Sequence, residues 1–280
     1  METITNKPKQ SEEPKLAFAG KIPDVYESVL GNFIFEPFAK DLAARIVHRK
    51  GGVRVLELAA GTGRLTHYLT ELLSNDSTII ATDLSIEMIE VGKQQVQSDN
   101  LRWQQVDIAD IPFADNSFDL IVCQFGIMFL QDKVRGFSEI KRVLKPQGQF
   151  LFNVWGALEE NRIWQITNQV LMQFTGEFPP LQHKVGPFSC SYIPFVQQQL
   201  QDAGFLNSTI EIVKQSNSIQ SAAIAAKGFI HGLPTKTIIL KSHPNKLIDI
   251  EKSLVYEFAA QLGDYPLTTS FTALIFNLFK

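Results

Sequence analysis

The sequence predicts an α/β fold: a doubly wound sheet, mostly parallel, with an antiparallel last strand. Three observations predict it. Short apolar runs alternate with amphipathic stretches from position 53 to position 156, the pattern of a parallel sheet with helices on both faces. The first run, VRVLEL (53–58), is mostly apolar and rich in valine and leucine, as in a strand covered on both faces. The chain closes with the β-rich run LTTSFTALIFNLFK, and no crossover helix follows it, so this strand is expected to pair antiparallel.

Five strands alternate with helices in the first half of the chain. After VRVLEL, the predicted strands are TIIATDL (78–84), LRWQQVD (101–107), FDLIVCQF (118–125) and GQFLFNVW (148–155). Helical spacing of apolar residues marks TGRLTHYLTELL, SIEMIEVGKQQVQ and KVRGFSEIKRVL between them. Ser85 is the expected N-cap of the second of these helices, and Pro146 and Gly148 stop the third.

The regions flanking these five strands are helical and looped. Residues 23–50 predict two helices, with Pro37 starting the second. After position 156, the sequence predicts the helix RIWQITNQVLMQF, a Pro/Gly-rich loop, the helix IPFVQQQLQDAGF closing at Gly204, the strand NSTIEIVKQ and helical stretches around 218–230 and 244–262. The domain plan we predict is a flexible tail (1–15) and one domain (16–280), comprising an N-terminal helical cap (16–50), a cofactor-binding core (51–156), a lid and substrate insert (157–206) and C-terminal strands and helices (207–280).

Composition excludes several classes of function. The 280 residues carry a formal net charge of −3 with no basic stripe, which disfavours a nucleic-acid partner. The two cysteines, Cys123 and Cys190, have neither a disulfide framework nor metal-ligand spacing, so no metal is expected. The polar start METITNKPKQSEEPK is unlike a signal peptide, and no apolar run is long enough to span a membrane. A cytoplasmic monomer or homodimer is therefore expected.

The stretch VLELAAGTGR (55–64) places a glycine-rich turn directly after the first strand. A phosphate loop needs G-x-x-x-x-G-K-[ST], but Gly63 is followed by Arg64 and Leu65. A dinucleotide fingerprint needs G-x-G-x-x-G, and the sixth position from Gly61 is Thr66. No tyrosine has a lysine four positions later, as a short-chain reductase would require. The turn therefore predicts a ligand other than a phosphate.

S-adenosylmethionine fits this turn because it carries a sulfonium and an ammonium group and no phosphate. The carboxylate of Glu57, at the strand end, attracts those positive charges, and the glycines allow close approach of the backbone. Asp83 ends the second strand, 22 positions after Gly61, where an acid can accept hydrogen bonds from both ribose hydroxyls. Asp107 ends the third strand and can accept from an adenine amino group, with Ile108 beside the ring.

The motifs VLELAAGTGRLT, ATDLSIEMIE, VDIADIPFADNSFDLIVCQFGIMFL and EIKRVLKPQGQFLFNVW resemble successive motifs of class I S-adenosylmethionine-dependent methyltransferases. The resemblance is greatest to the branch that contains the ubiquinone/menaquinone-biosynthesis C-methyltransferases, and its specific part covers residues 53–156. It implies a Rossmann-like fold, with the loop Gly61–Gly63 at the methionine part, Asp83 on the ribose and Asp107–Ile108 at the adenine. It also implies that Tyr26 closes over the cofactor. Ala59 and Ala60 stand where this family often has Gly-Cys.

Further candidates complete the predicted site. The cofactor set also includes Ala59 and Thr62 in the turn, Leu84 and Met88 after the second strand, and Gln124 and Phe125 where the fourth strand ends and the methyl group must leave. Trp155, ending the fifth strand, is a candidate for contact with the acceptor. His231 is the histidine best placed for a general base, ahead of His183.

The predicted function is methyl transfer from S-adenosylmethionine, with S-adenosylhomocysteine as product, to a small-molecule acceptor at carbon or oxygen. An aromatic-rich insert favours an apolar or ring-bearing acceptor; it contains Trp164, Phe174, Phe178, Phe188, Tyr192 and Phe195. The sequence leaves two alternatives. One is a module that binds the cofactor without catalysis. The other is a nicotinamide-dependent oxidoreductase, against which the missing third glycine and the missing Tyr/Lys pair count.

Overall fold

The computed structural model of the protein describes residues 18, 20–47, 51–176 and 185–280. The predicted tail (1–15), Phe178 and His183 lie outside them. One seven-stranded sheet has the order β3-β2-β1-β4-β5-β7-β6. Its strands are β1 (Arg54–Leu58), β2 (Thr78–Asp83), β3 (Leu101–Gln105), β4 (Phe118–Gln124), β5 (Leu144–Trp155), β6 (Ser208–Ile219) and β7 (Leu267–Phe279).

Strand directions confirm the predicted fold class. The five strands β1 to β5 pair in parallel. The last strand, β7, lies between β5 and β6 and is antiparallel to both. The strand order reverses between β1, which leads outward to β2 and β3, and β4, which leads to β5. Such a switch point opens a crevice at the carboxyl ends of the strands, where doubly wound sheets bind ligands.

Helices cover both faces of the sheet. They are α1 (Ile22–Val25), α2 (Glu36–Ala44), α3 (Arg64–Leu72), α4 (Ile86–Gln95), α5 (Lys133–Val143), α6 (Arg162–Thr175), α7 (Ile193–Asp202), α8 (Ala222–His231), α9 (Thr235–Ser242) and α10 (Leu247–Leu262). The predicted core helices thus form at the predicted places. Among the described residues, no helix is both long and apolar enough to cross a membrane.

The N-terminal region differs from the two separate helices that the sequence predicts. A π-helix, Tyr26–Phe35, joins α1 to α2, and the chain is helical without a break from Ile22 to Ala44. Pro37 does lie in the first turn of α2, where the proline nitrogen needs no hydrogen-bond partner. The break is absent because Phe35 keeps right-handed helical dihedrals, so only the hydrogen-bond register changes at this point.

Aromatic side chains fill the core on the face of β5 and β7. Phe152 stacks on Phe276 with ring centroids 4.7 Å apart, and Phe150 stacks on Phe152 at 4.9 Å. All three are fully buried. These three rings pack the antiparallel strand β7 against the parallel part of the sheet.

Candidate functional site

The turn after β1 has the backbone that a close ligand requires. Gly61 and Gly63 have φ values of +58° and +92°, and Ala59 is also left-handed at +52°. The Ala60 amide donates to the carbonyl of Thr82 at 2.8 Å, which ties the turn to the end of β2. A Cβ built on Gly61 meets no atom of the described residues within 4 Å. The backbone at Gly61 is therefore left open for a ligand.

Replacing Gly61 by alanine tests this opening. Since alanine at a positive φ costs about 1 kcal/mol of folding stability, we expect a modest fall in the melting temperature. We also expect the affinity for the ligand of this site to fall at least tenfold, because the added methyl group would occupy the space that Gly61 leaves open for the ligand. Gly51, with φ +88° and no atom within 4 Å of a built Cβ, precedes β1 at the other edge of the sheet. Gly51→Ala should lower stability alike and leave affinity unchanged; equal affinity losses would contradict the prediction.

Glu57 lies at the end of β1 and is only 1% exposed. The hydroxyl of Thr66, on α3, donates to its carboxyl at 2.6 Å. Burial raises the pKa of Glu57 to about 8, the Thr66 hydrogen bond opposes that rise, and the negative charge of Asp83 adds to it. Near neutral pH this carboxyl is therefore largely protonated when nothing positive lies beside it.

Asp83 joins the glycine turn to the following helix. One of its oxygens accepts from the Gly61 amide at 2.8 Å and the other from the Ser85 amide, also at 2.8 Å. Burial raises the pKa of Asp83 although both backbone amides lower it. Ser85 is the N-cap of α4, as predicted, and accepts from the amide of Met88 at 3.2 Å. Met88 is buried below this turn.

The residues after β2 and β3 are the more open part of the predicted site. Leu84 is 60% exposed. Asp107 is exposed as well, and its side chain accepts from the Ala109 amide at 2.8 Å. Ile108 next to it is buried against the core. One acid and one apolar side chain thus stand together at the end of β3, in the arrangement that the sequence predicts for an adenine.

At the end of β4, Gln124 and Phe125 connect the sheet to the N-terminal helices. The Gln124 amide donates to the carbonyl of Phe35 at 2.9 Å, and its buried oxygen has no hydrogen-bond partner in the part of the chain that the structure describes. Phe125 has a left-handed φ of +51° and stacks on Trp155 with centroids 3.9 Å apart. A non-glycine residue held at positive φ marks local strain, which is common at functional sites.

Tyr26 lies in the first turn of the π-helix. Its ring stacks on Phe35 at 4.7 Å and meets the edge of Phe18 at 6.0 Å. Burial and the negative charge of Asp83 both raise the pKa of the Tyr26 phenol, so Tyr26 is close enough to Asp83 to respond to its charge. The carbonyl of Phe18 accepts from Ser85 at 2.8 Å, which brings the start of the described chain to the same edge.

The aromatic insert divides into a buried and an exposed part. Trp164 and Phe188 are buried, with centroids 6.0 Å apart, and Trp164 lies 6.4 Å from Trp155. Phe174 packs against the core from a partly buried position. Tyr192, at 68% exposure, and Phe195, at 38%, face outward on α7. The aromatic wall next to Trp155 is thus formed by α6 rather than by the whole insert.

His231 ends α8, and its imidazole nitrogen lies 3.4 Å from the carboxylate of Glu251 on α10. His231 therefore contacts a side chain of a neighbouring helix rather than one at a strand end, and its role as a base remains a prediction. Sequence reasoning missed the polar side chains that pack against the glycine turn from the N-terminal helix: Glu27, Asn32 and Glu36. The sequence does contain the two acids, Glu27 and Glu36, but they are nine positions apart, and in an α-helix they would lie on opposite sides.

Comparison with known protein families gives a match for the segment that runs from β1 into β5. Residues 56–152 match the family described as "Methyltransferase domain". The matched segment makes up about a third of the chain and includes most of β1, all of β2 to β4 and most of β5. The predicted resemblance to class I methyltransferases is thereby confirmed for the segment that carries the glycine turn, Asp83, Asp107 and the end of β4.

Curated relatives match the methyltransferase domain and its surroundings. The ubiquinone/menaquinone biosynthesis C-methyltransferase UbiE of Hahella chejuensis is 32% identical over 146 residues, which are 46% of this chain and 57% of the relative. The protein of the same name from Pseudoalteromonas translucida is 33% identical over 149 residues, 48% of this chain and 58% of the relative. The chain thus spans somewhat more than half the length of the curated relatives that it matches.

Solved structures share the fold well beyond the methyltransferase domain. The YcgJ protein of Bacillus subtilis superposes with a TM-score of 0.57 at 21% identity, covering 87% of this chain and 98% of its own. Phosphoethanolamine N-methyltransferase 2 of Haemonchus contortus, solved with S-adenosyl-L-methionine, gives a TM-score of 0.58 at 18% identity over 92% of this chain and 56% of its own. At such identities the likeness concerns the fold alone.

Proposed function

We propose that the chain transfers a methyl group from S-adenosylmethionine to a small-molecule acceptor. The observation that carries the proposal is the pair of carboxylates, Glu57 and Asp83, beside a glycine turn that lacks the phosphate-binding lysine. Carboxylates attract the positive charges of this cofactor and repel a pyrophosphate. The methyltransferase-domain match over residues 56–152 and the C-methyltransferase name of the curated relatives support it.

The residues present fit this cofactor. Gly61 leaves open space above its Cα. Asp83 uses its oxygens for two backbone amides, and a carboxylate has further lone pairs with which to accept from ribose hydroxyls. Asp107 and Ile108 offer an acceptor and an apolar surface for the adenine. Glu57 supplies the buried negative charge for the methionine end.

When bound, S-adenosylmethionine supplies a methyl group already activated by its sulfonium. The chain then has to bind the cofactor, orient it toward the acceptor and exclude water. The glycine turn and Asp83 fix position, while Tyr26, stacked on Phe35, covers the edge of the sheet. Phe125, held on Trp155 at the end of β4, provides an apolar surface from which water is excluded next to the methyl group.

The acceptor that this geometry favours is an apolar ring bearing an oxygen, methylated at carbon or oxygen. Trp155, Trp164 and Phe229 form a continuous and almost fully buried aromatic cluster, since Trp164 lies 4.7 Å from Phe229 and 6.4 Å from Trp155. The buried indole nitrogen of Trp164 has no partner among the residues that the structure describes. A buried donor of this kind gains most from a ligand oxygen.

Titration with S-adenosylhomocysteine and S-adenosylmethionine tests the cofactor, and formation of S-adenosylhomocysteine from S-adenosylmethionine in the presence of phenols and quinols tests the reaction. Micromolar binding followed by turnover with a ring-bearing acceptor is the expected result. Binding without turnover on any acceptor would favour a non-catalytic module. Failure of the folded protein to bind either nucleoside would contradict the proposal, and efficient methylation of polar, non-aromatic acceptors alone would contradict the acceptor class.

Trp164→Phe tests the acceptor class more finely. The change keeps an aromatic ring and removes the indole donor, so we expect the KM for an oxygen-bearing acceptor to rise about fivefold to tenfold, the worth of one hydrogen bond, with cofactor affinity unchanged. Trp103 is a matched control. It also has a buried indole nitrogen without a described partner, but it lies in β3 and packs against Gly92 of α4, away from Trp155 and Trp164. Trp103→Phe should leave the acceptor KM unchanged; a rise in both variants would speak against a specific contact.

A further inference from the structure

Arg64 begins α3, directly after the glycine turn, and its guanidinium uses all five N–H donors on one continuous helical segment, the π-helix and the first residue of α2. Nε donates to Glu27 Oε2 at 3.2 Å, and one terminal nitrogen donates to Asn32 Oδ1 at 2.5 Å and to Glu36 Oε2 at 3.0 Å. The other terminal nitrogen donates to the Glu27 carbonyl at 3.3 Å and to Glu27 Oε1. All of these acceptors belong to the stretch from Glu27 to Glu36.

The turn and α3 add two hydroxyl contacts to the same acids. Thr62, between the two glycines of the turn, donates to Glu27 Oε2 at 2.6 Å, and Tyr68 donates to Glu36 Oε1 at 2.5 Å. The side chains of Arg64 and Glu27 are only 19% and 14% exposed. A charge pair this well covered and this fully hydrogen-bonded is costly to break, because one partner would be left partly buried and unpaired.

The π-helix is what brings these acceptors to one face. Glu27 and Glu36 are nine positions apart, which is 2.5 turns of an α-helix at 3.6 residues per turn and would place them on opposite sides. A π-helix bonds i to i+5 and has roughly 4.4 residues per turn, so the same nine positions make about two turns. Gly31 lies between them on this face, where a built Cβ would come within 2.5 Å of the guanidinium.

We propose that Arg64 is a positioning residue that holds the N-terminal helix in its π register and thereby sets Tyr26 over the cofactor. Tyr26 immediately precedes Glu27, so the arginine fixes the first π turn, and Thr62 fixes the glycine turn to the same carboxylate. In an α register, Glu27 and Glu36 could not both face Arg64. The role in cofactor binding rests on the proposed function; the hold on the helix does not.

Arg64→Lys is the first variant, because lysine keeps the charge and loses the planar fork. We expect amide hydrogen exchange across residues 22–36 of the ligand-free protein to quicken at least tenfold, and the Kd for S-adenosylhomocysteine to rise about tenfold. Gly31→Ala is the second: it keeps every charge and favours helix in general, but its methyl displaces the guanidinium. The same direction of change in both measurements is expected.

Arg142 provides a matched control. Its guanidinium also makes five hydrogen bonds, to Glu139, Asp115 and the carbonyls of Ile111 and Phe113. Arg142→Lys should lower stability without altering exchange at 22–36 or the Kd. If Arg64→Lys acted only through a general loss of stability, Arg142→Lys would change the exchange at 22–36 and the Kd in the same way.

A double variant separates positioning from structure. If Arg64 acts through Tyr26, the losses of affinity in Arg64→Lys and Tyr26→Phe should be less than additive when combined. Normal exchange at 22–36 and normal affinity in a folded Arg64→Lys protein would overturn the inference, as would full additivity. Failure of the wild type to bind S-adenosylhomocysteine would instead refute the proposed function and the cofactor role with it, while the exchange measurement would still decide whether Arg64 holds the helix.

Discussion

Asp83→Asn is expected to weaken the binding of S-adenosylmethionine and S-adenosylhomocysteine at least a hundredfold. Both carboxylate oxygens of Asp83 accept backbone amides, from Gly61 and from Ser85. Asparagine offers one oxygen and one NH₂ group, so one of these amides would face a donor and lose its partner. The glycine turn would separate from α4, and the ribose would lose a charged acceptor. Two such losses of about 1.5 kcal/mol each correspond to a factor of about 150.

Calorimetric titration measures this effect, and Asp264 supplies the control. The Asp264 carboxylate also accepts two backbone amides, those of Ala222 at 2.8 Å and Tyr265 at 3.1 Å, but it lies before β7, outside the predicted site. Both amides meet the same oxygen, which asparagine keeps, so Asp264→Asn should fold normally and leave both dissociation constants unchanged. Wild-type affinity in folded Asp83→Asn protein would remove Asp83 from the cofactor site.

Glu57→Gln is expected to change stability and binding in opposite directions at high pH. Because the pKa of Glu57 is raised from an ordinary 4.5 to about 8, the folded state holds a proton that the unfolded state releases. The stability linked to this proton is fully present below about pH 4.5, falls as pH rises, and is lost above about pH 8. Glutamine mimics the protonated acid, so the variant should match the wild type at pH 5 and be more stable by a few kcal/mol at pH 9.

The same substitution removes the negative charge that the proposed cofactor requires. A positive ligand beside Glu57 lowers its pKa, so the wild type should release up to one proton on binding at pH 7, detectable as a dependence of the binding heat on the buffer. Glu57→Gln should release none and bind at least tenfold more weakly. Glu71→Gln, which changes an acid 62% exposed on α3, should leave the pH dependence as it is. Equal pH slopes of stability in wild type and Glu57→Gln would show that Glu57 is not the group responsible.

The local sequence determined the parallel core and the positions of the chemistry-bearing residues within it. Apolar runs mark β1, β2, β4 and the second half of β5, the glycines mark the turn that needs left-handed dihedrals, and Glu57 and Asp83 stand at the ends of their strands. These features depend on neighbours within a few residues, which is why the placement of Glu57 and Asp83 at one sheet edge could be predicted without coordinates.

Tertiary structure alone decided the contacts between distant segments. That β7 inserts between β5 and β6 depends on aromatic pairs such as Phe152 with Phe276, which no local pattern specifies. The π register of Tyr26–Phe35 likewise involves Arg64, about 30 positions away, because in an α register Glu27 and Glu36 could not both face its guanidinium. Periodicity along the chain reports burial on one face of a regular helix. A change of register that matches a partner on another element is therefore visible only when both elements are in place.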